Sequence, residues 1–374
     1  MLPPDWMSDD AKAVRHPERL RAQLQLLKVA GARGVMANIW WGLCESEPWQ
    51  HEFSAVRALC ELLSEQGLKL QAALAFHACG GSMGNAVSIP LPKWVVKTAR
   101  KHGLFYRSKS GVVSEDCLSL AADHECVFPR TWTGAPRTAL ECYDEYVVAF
   151  IWNCKAHFGT TVVEMQIGAG PCGELRYPSC MISNGWRYPG VGLVMAYDEG
   201  MVKMLREATR LQEVPAGLPE DQDGAPDDAP LFCTKGTDEG HFRQGDARCF
   251  LRWYSQVLVE HGEAVLRAAT KALDRQAIGR EALMLSIKVP GLHWHVTHPS
   301  RATEACAGYD CCTASKADAY NVVARMLSRL AKETGRTVLF NFTCLEMSNM
   351  TGGQPGAFSA PEDLIAQVRR ACIV

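Results

Sequence analysis

Residues 161–179 read TVVEMQIGAGPCGELRYPS, and two kinds of chain meet inside them. Thr161–Ile167 is a short β-branched and aliphatic run, too short for a helix and stopped by glycine, which predicts a strand. At Gly168 the composition turns to glycine and proline, and the far side carries a carboxylate, Glu174. Upstream, Glu141–His157 spaces its apolar residues as a helix does. Helix, buried strand and a long irregular exit make the repeating unit of a parallel sheet.

The same unit recurs four more times. Gly34–Trp41 (GVMANIWW) follows a helical pattern carrying Leu20, Leu24 and Leu27, stopped at Gly31. Leu68–Phe76 (LKLQAALAF) follows Phe53, Val56, Leu59 and Leu63, stopped at Gly67. Leu283–Val289 follows a long pattern that includes Phe250, Trp253, Tyr254, Val257 and Leu258. Thr337–Phe342 follows Tyr320, Val323, Met326, Leu327 and Leu330. The segments leaving the strands are long and rich in Trp, His, Glu, Gly and Pro. A (β/α)8 barrel assembles its active site from such loops at the C-terminal ends of its strands. A doubly wound open sheet is the rival, but no G-x-G-x-x-G turn follows any strand. The pattern predicts one α/β domain of the TIM-barrel type over residues 1–374, with five strands placed where eight would close a barrel.

Composition narrows the function classes. Of 374 residues, 47% are apolar and 21% charged, ordinary for a globular chain, and 39 Lys+Arg nearly cancel 41 Asp+Glu. That balance argues against a nucleic-acid partner, which needs a basic face. No apolar run approaches the roughly 18–20 residues of a membrane span. The 16 cysteines are scattered without a recognisable zinc spacing, and read as reduced thiols acting as small hydrophobes. Residues 213–228 (EVPAGLPEDQDGAPDD) carry six acids, several prolines and no base, and read as a solvated surface loop.

Two carboxylates sit just past strand ends, Glu174 and Glu346. A carboxylate pair flanking a bond suits glycoside hydrolysis, one protonating the leaving oxygen while the other activates water. The plainer reading is a pair of loop carboxylates, with Glu174 ion-paired to Arg176. Trp40, Trp41, Trp186, Trp294 and Tyr177 fall in post-strand segments, where aromatic faces could line a carbohydrate cleft, whereas Trp253 and Tyr254 belong to a helix core. His293, His295 and His298 offer an alternative, a divalent-metal site, but no second histidine pair or strand-end aspartate completes the ligand set. Lys288 alternates toward the strand mouth, where it either contacts sugar hydroxyls or snorkels.

Taken in order, GVMANIWWGLCE, LKLQAALAFHACGG with IPLPKWV, GAGPCGELRYPS with GWRYPGVG, FLRWYSQVLVEHG, IKVPGLHWH, AGY and FNFTCLEM resemble the plant-type β-amylases along almost the whole chain. The resemblance implies a TIM barrel, incomplete here, with the second to sixth strands present, the first partial, and the seventh and eighth missing. It implies release of maltose from the non-reducing ends of α-1,4-glucans such as starch, by inversion, with no metal or organic cofactor. By the same resemblance Glu174 is the general acid, His77, Lys288, His293 and Thr343 contact sugar, and Trp186 and Trp294 line the cleft. GGSMGN, from Gly80 to Asn85, corresponds to a lid with glycine hinges, and Glu346 belongs to an inner loop.

Three departures from the family pattern stand out. Asn38 and Asn85 replace aspartates, exchanging charged acceptors for weaker neutral ones. The family's general base lies in a G-E-N-A motif on the seventh strand, and nothing after Val374 supplies it. Loss of a general base lowers a rate by roughly 10² to 10⁴. Two expectations therefore stand side by side: a maltose-releasing enzyme read incompletely, or a relative that binds glucan and no longer cuts it. The expected partner is an α-1,4-glucan, with no nucleic acid and no membrane. The resemblance leaves cytosol or plastid, and the opening MLPPDWMSDD offers no visible signal or transit peptide.

Overall fold

The computed structural model describes residues 1–80, 87–130, 134–235, 240–350, 354 and 356–373. Its centre is a parallel five-stranded sheet: β1 (Gly34–Trp40), β2 (Lys69–Ala75), β3 (Val162–Ile167), β4 (Met284–Val289) and β5 (Val338–Phe342). Each lies within a residue or two of a run expected from sequence. Spatial order equals chain order, β1-β2-β3-β4-β5, with every neighbouring pair parallel. A doubly wound sheet reverses direction at a switch point; this one never does.

The sheet also curls. Gln71 on β2 and Asn341 on β5 are three strands apart, yet both side-chain amides donate to Glu164 Oε1 on β3, at 2.8 and 2.7 Å. Gln166 Oε1, one pleat along β3, takes weaker bonds from the same two amides, at 3.3 and 3.2 Å. Side chains from non-adjacent strands converge this way only on the concave side of a curved sheet, the geometry of a barrel wall.

Eight helices of ten or more residues pack around this wall among the described residues: α1 (Pro17–Val29), α2 (Ser54–Glu65), α3 (Lys93–His102), α4 (Ala139–Cys154), α5 (Glu199–Ala208), α6 (Gly245–Arg275), α7 (Ala319–Thr334) and α8 (Pro361–Ala371). In α2 the predicted stripe Val56, Leu59 and Leu63 is fully buried, each side chain contributing roughly 1.5–3 kcal/mol by leaving water. The α4 start is fixed by a reciprocal cap, in which Thr138 Oγ1 accepts from Glu141 N and the Glu141 carboxylate accepts from Thr138 N. No helix is long and apolar enough to cross a membrane among the described residues.

Along the outer edge of β1, Leu2 N donates to Met36 O at 2.8 Å and the Trp6 indole donates to Asn38 O at 2.9 Å. The outer edge of β5 has no strand partner among the described residues.

Two expectations need correction. Residues 213–228 are not a purely solvated loop: Val214, Leu218, Gln222 and Pro226 are buried. Backbone bonds tie the loop to the segment after Trp186, Gly192 N to Gln222 O at 2.9 Å and Val191 N to Gly224 O at 3.1 Å. Average acidity misleads here because the few apolar residues are spaced to land on neighbours.

The second correction concerns Trp40, Trp41 and Tyr177, which are core residues and not a rim. Trp41 meets Phe76, Trp94 and Tyr143 edge-on, and its indole donates to Glu45 at 2.7 Å. Trp40 donates to Pro4 O at 2.8 Å. Tyr177 stacks on Tyr254 at 3.7 Å and donates to the Tyr254 carbonyl. Trp253 and Tyr254 are buried as expected.

Candidate active site

Beyond β3 the chain must turn sharply, and its glycines permit it. A Cβ on Gly170 would lie 2.6 Å from the carbonyls of both Glu174 and Arg176, and Gly173 adopts a φ of +73° against the His77 ring. The turn returns Glu174 to the end of β4, where Leu175 N donates to Lys288 O at 2.8 Å. Backbone pairing thereby sets the carboxylate of Glu174 beside the side chain of Lys288.

The carboxylate is gripped from two sides. Arg176 Nε donates to Oε2 at 2.7 Å and Lys288 Nζ stands 3.2 Å from Oε1. Lys288 also reaches Cys172 O at 3.4 Å. Burial is the largest influence on Glu174 and pushes its carboxyl up, but Arg176 and Lys288 together outweigh it, so the net shift is downward. Burial also opposes the Arg176 charge, yet Glu174 and its neighbours hold the guanidinium pKa above its ordinary value.

His77 is driven the other way. Burial, reinforced by Lys288, lowers it to about 3, so the ring is neutral, and its Nδ1 has no hydrogen-bond partner among the described residues. Its ring meets Trp40 edge-on at 5.4 Å.

A second group forms an aromatic wall. Trp186 and Trp294 lie 5.6 Å apart between centroids, and both indoles donate to Gly190 O at 3.0 Å. Tyr188 completes the cluster at 5.7 Å from both Trp294 and His293. His293 Nδ1 is 2.8 Å from Ser359 Oγ, and burial lowers its pKa against a weaker opposing pull from Glu346. The Thr343 hydroxyl accepts from Gly291 N at 2.7 Å, joining the β5 exit to the turn between Lys288 and His293.

Sequence reasoning thus named residues that fall into two adjoining groups. Glu174, Lys288 and His77 come together around one carboxylate. Trp186, Trp294 and His293 form the wall, with Thr343 at the turn that links them. Asn38 is half-buried on β1. Glu346 is exposed on the loop after β5. Asn85 and the lid segment after Gly80 lie outside the described residues.

The histidine cluster does not converge. His295 Nδ1 bonds Thr303 Oγ1 at 2.7 Å, and His298 bonds Ser300 at 2.8 Å and faces Asp227. Each imidazole is turned to a different hydroxyl, so the three do not form a ligand set. Tyr188 was missed from sequence, although it shares the Trp186 segment. Arg176 was read only as a pairing partner, and its two-residue spacing from Glu174 was the available signal.

Comparison with known proteins gives a consistent result. The description of glycosyl hydrolase family 14 matches residues 1–373. Rice chloroplastic beta-amylase 2 is 39% identical over 99% of this chain and 64% of its own length. The beta-amylase of Medicago sativa is 36% identical over 94% of the chain and 68% of its length. The chain spans about two thirds of the length of such relatives. Among solved structures, the catalytic domain of beta-amylase from Paenibacillus polymyxa superposes with a TM-score of 0.75 at 27% identity, covering 98% of this chain and 84% of that one. A match along the full chain, identities near 40% and a shared barrel wall lead to one conclusion: the chain belongs to the β-amylase family, glycosyl hydrolase family 14.

Proposed function

We propose that this chain is a maltose-releasing hydrolase of α-1,4-glucans, with Glu174 as the general acid of a single-displacement, inverting reaction. The observation that carries the reading is the Glu174 carboxylate, set by backbone pairing at the mouth of the sheet with Lys288 at 3.2 Å and Arg176 at 2.7 Å. Trp186 and Tyr188, partly exposed beside the buried Trp294, supply flat apolar faces for sugar rings.

A general acid must carry a proton, whereas the two cations hold this carboxyl ionised in the free protein. A sugar hydroxyl that draws Lys288 away removes one cation and leaves burial to raise the carboxyl, loading the acid when substrate is present. The five strands correspond on this reading to the second to sixth of an eight-stranded barrel. In such an inverting reaction a second carboxylate activates water from the opposite face of the sugar. The family resemblance puts that base on a seventh strand.

The same ion triplet supports a second reading, glucan binding without turnover. A carboxylate locked between two cations, with the amide of Asn38 in place of a carboxylate, still presents polar groups to hydroxyls. Maltose release from soluble starch, with Glu174→Gln run beside the parent protein, separates the two. Release that disappears in the variant supports the hydrolase. No release above the variant, from protein shown folded by circular dichroism, overturns it, and retention on a glucan-containing gel then supports the binding protein.

A further inference from the structure

The motif Ala307-Gly308-Tyr309 follows a short helix, Ala302–Cys306, and belongs to neither group of cleft residues. Yet all three of its residues meet the segment Leu175–Tyr177, which adjoins Glu174 and carries Arg176. Ala307 O accepts from Tyr177 N at 3.1 Å. Gly308 is pressed against the Tyr177 ring: a Cβ there would lie 2.7 Å from Cδ2 and 2.8 Å from Cε2, and its φ of +98° suits glycine. The Tyr309 hydroxyl donates to Leu175 O at 2.5 Å. Leu175, Tyr177 and Tyr309 are all buried.

Leu175 is thereby held on two sides, its N–H by Lys288 O at 2.8 Å and its carbonyl by Tyr309. Tyr177 is held by Ala307 O, by its stack on Tyr254 and by its bond to the Tyr254 carbonyl. Glu174 and Arg176 stand beside and between these two fixed residues, so their reach toward each other and toward Lys288 follows from where the backbone is pinned. We propose that Ala307, Gly308 and Tyr309 are positioning residues, a clamp on the segment 175–177 that sets the Glu174 carboxylate against Arg176 and Lys288. The proposal rests on the reading of Glu174 as the functional carboxyl. Burial lifts the Tyr309 hydroxyl well above its ordinary pKa, with Glu174 adding to the lift and Arg176 opposing it, so the hydroxyl remains a donor. Tyr320 provides the contrast. It is buried and stacks on Tyr309 at 5.1 Å, but its hydroxyl donates to Glu304 at 2.6 Å and not to the segment.

Tyr309→Phe tests the clamp, because it keeps the ring and its stack and removes only the donor. Tyr320→Phe is the matched control. The Glu174 carboxyl is followed by carbon NMR of protein labelled at glutamate, its resonance assigned by its absence in Glu174→Gln. Arg176, Lys288, His77 and Cys172 also lie within electrostatic reach of Glu174, and neither tyrosine variant removes any of them. In Tyr309→Phe the Leu175 carbonyl loses its donor and the hold of Lys288 on the carboxylate loosens. Burial is then less opposed, so the titration midpoint should move to higher pH by about 0.5. Maltose release should fall about tenfold with KM changed less than about twofold. Tyr320→Phe should lower Tm and leave the Glu174 titration in place. An unmoved titration in Tyr309→Phe overturns the clamp whatever happens to Tm, and so does an equal shift in Tyr320→Phe. A second readout needs no variant fold: in the parent, the Tyr309 Cζ resonance should follow the Glu174 titration, and one that ignores it overturns the clamp. Neither titration depends on turnover. A parent that releases no maltose overturns the hydrolase reading while the titrations still decide the clamp.

Discussion

Glu45 and Glu174 both stand a few residues past a strand end, and both face arginine, yet their surroundings differ in kind. Glu45 is 1% exposed and accepts neutral donors on each oxygen, the Trp49 amide at 2.9 Å and the Trp41 indole at 2.7 Å. Arg137 and His51 stand farther off, at 3.5 and 3.4 Å. Arg137 is itself fully buried, pairs with Glu145 and lies over the Trp94 ring. Glu174 has no such neutral donors among the described residues. Its partners are two cations, one on a long lysine stem that is itself partly exposed. A carboxylate fixed by short neutral donors is committed to holding the fold. One held in part by a partly exposed lysine can exchange that cation for a ligand.

Removing each carboxylate should expose that contrast, and the largest effect belongs to Glu174. Glu174→Gln keeps the shape and, on the proposed reading, loses the proton donor, so maltose release should fall by about 10² to 10⁴. Its urea midpoint should move far less than that of a Glu45 variant. Glu45→Ala leaves the buried Arg137 short of a counter-charge and two N–H groups without acceptors, an expected cost of about 3–5 kcal/mol. Urea unfolding followed by tryptophan fluorescence measures both. Equal destabilisation by the two variants would erase the distinction.

The contrast was only half legible in the sequence. Strands were readable because short apolar runs follow helical patterns, some of them stopped at glycine, and Glu174 was readable because it follows a Gly-Pro turn. Glu45 drew no notice, since nothing local reveals that Arg137, more than ninety residues on, is buried against it. Trp40, Trp41 and Tyr177 were misassigned for the same reason. A post-strand position states where the backbone is, not which way the ring turns, and the partners Phe76, Trp94, Tyr143 and Tyr254 come from distant segments.

Charge removal at Lys288 sharpens the comparison by pH. Because the folded Glu174 carboxyl lies below its ordinary value near 4.5, its ion pairs add stability that is full above that value. The contribution is lost as pH falls through the lower folded pKa. Lys288→Met should shrink the difference in urea midpoint between pH 6 and pH 3. It should also move the alkaline limb of any maltose-release profile, where a general acid loses its proton, toward higher pH, because one of the two cations opposing burial is gone. Arg137→Met, made at the other carboxylate, should lower stability at both pH values and leave that limb in place. A Lys288 variant with an unmoved limb would mean that Arg176 alone sets the carboxyl.

The smallest expected effect distinguishes two duties of one hydroxyl. Thr343 Oγ1 accepts from Gly291 N at 2.7 Å, and its own proton remains free to donate. Thr343→Val removes the acceptor without changing shape and leaves the Gly291 amide unpaired, an expected cost of about 1 kcal/mol. If the hydroxyl also donates to sugar, glucan affinity should fall several-fold in the same variant, and Thr343→Ser should restore both. Gly291 is pressed so close that a Cβ there would lie 2.6 Å from Thr343 O. The turn therefore cannot drift far when the hydrogen bond is lost, and a fall in affinity reports the missing donor directly. Stability lost with affinity unchanged would make Thr343 a brace between the β4 and β5 exits, closer in kind to Glu45 than to Glu174.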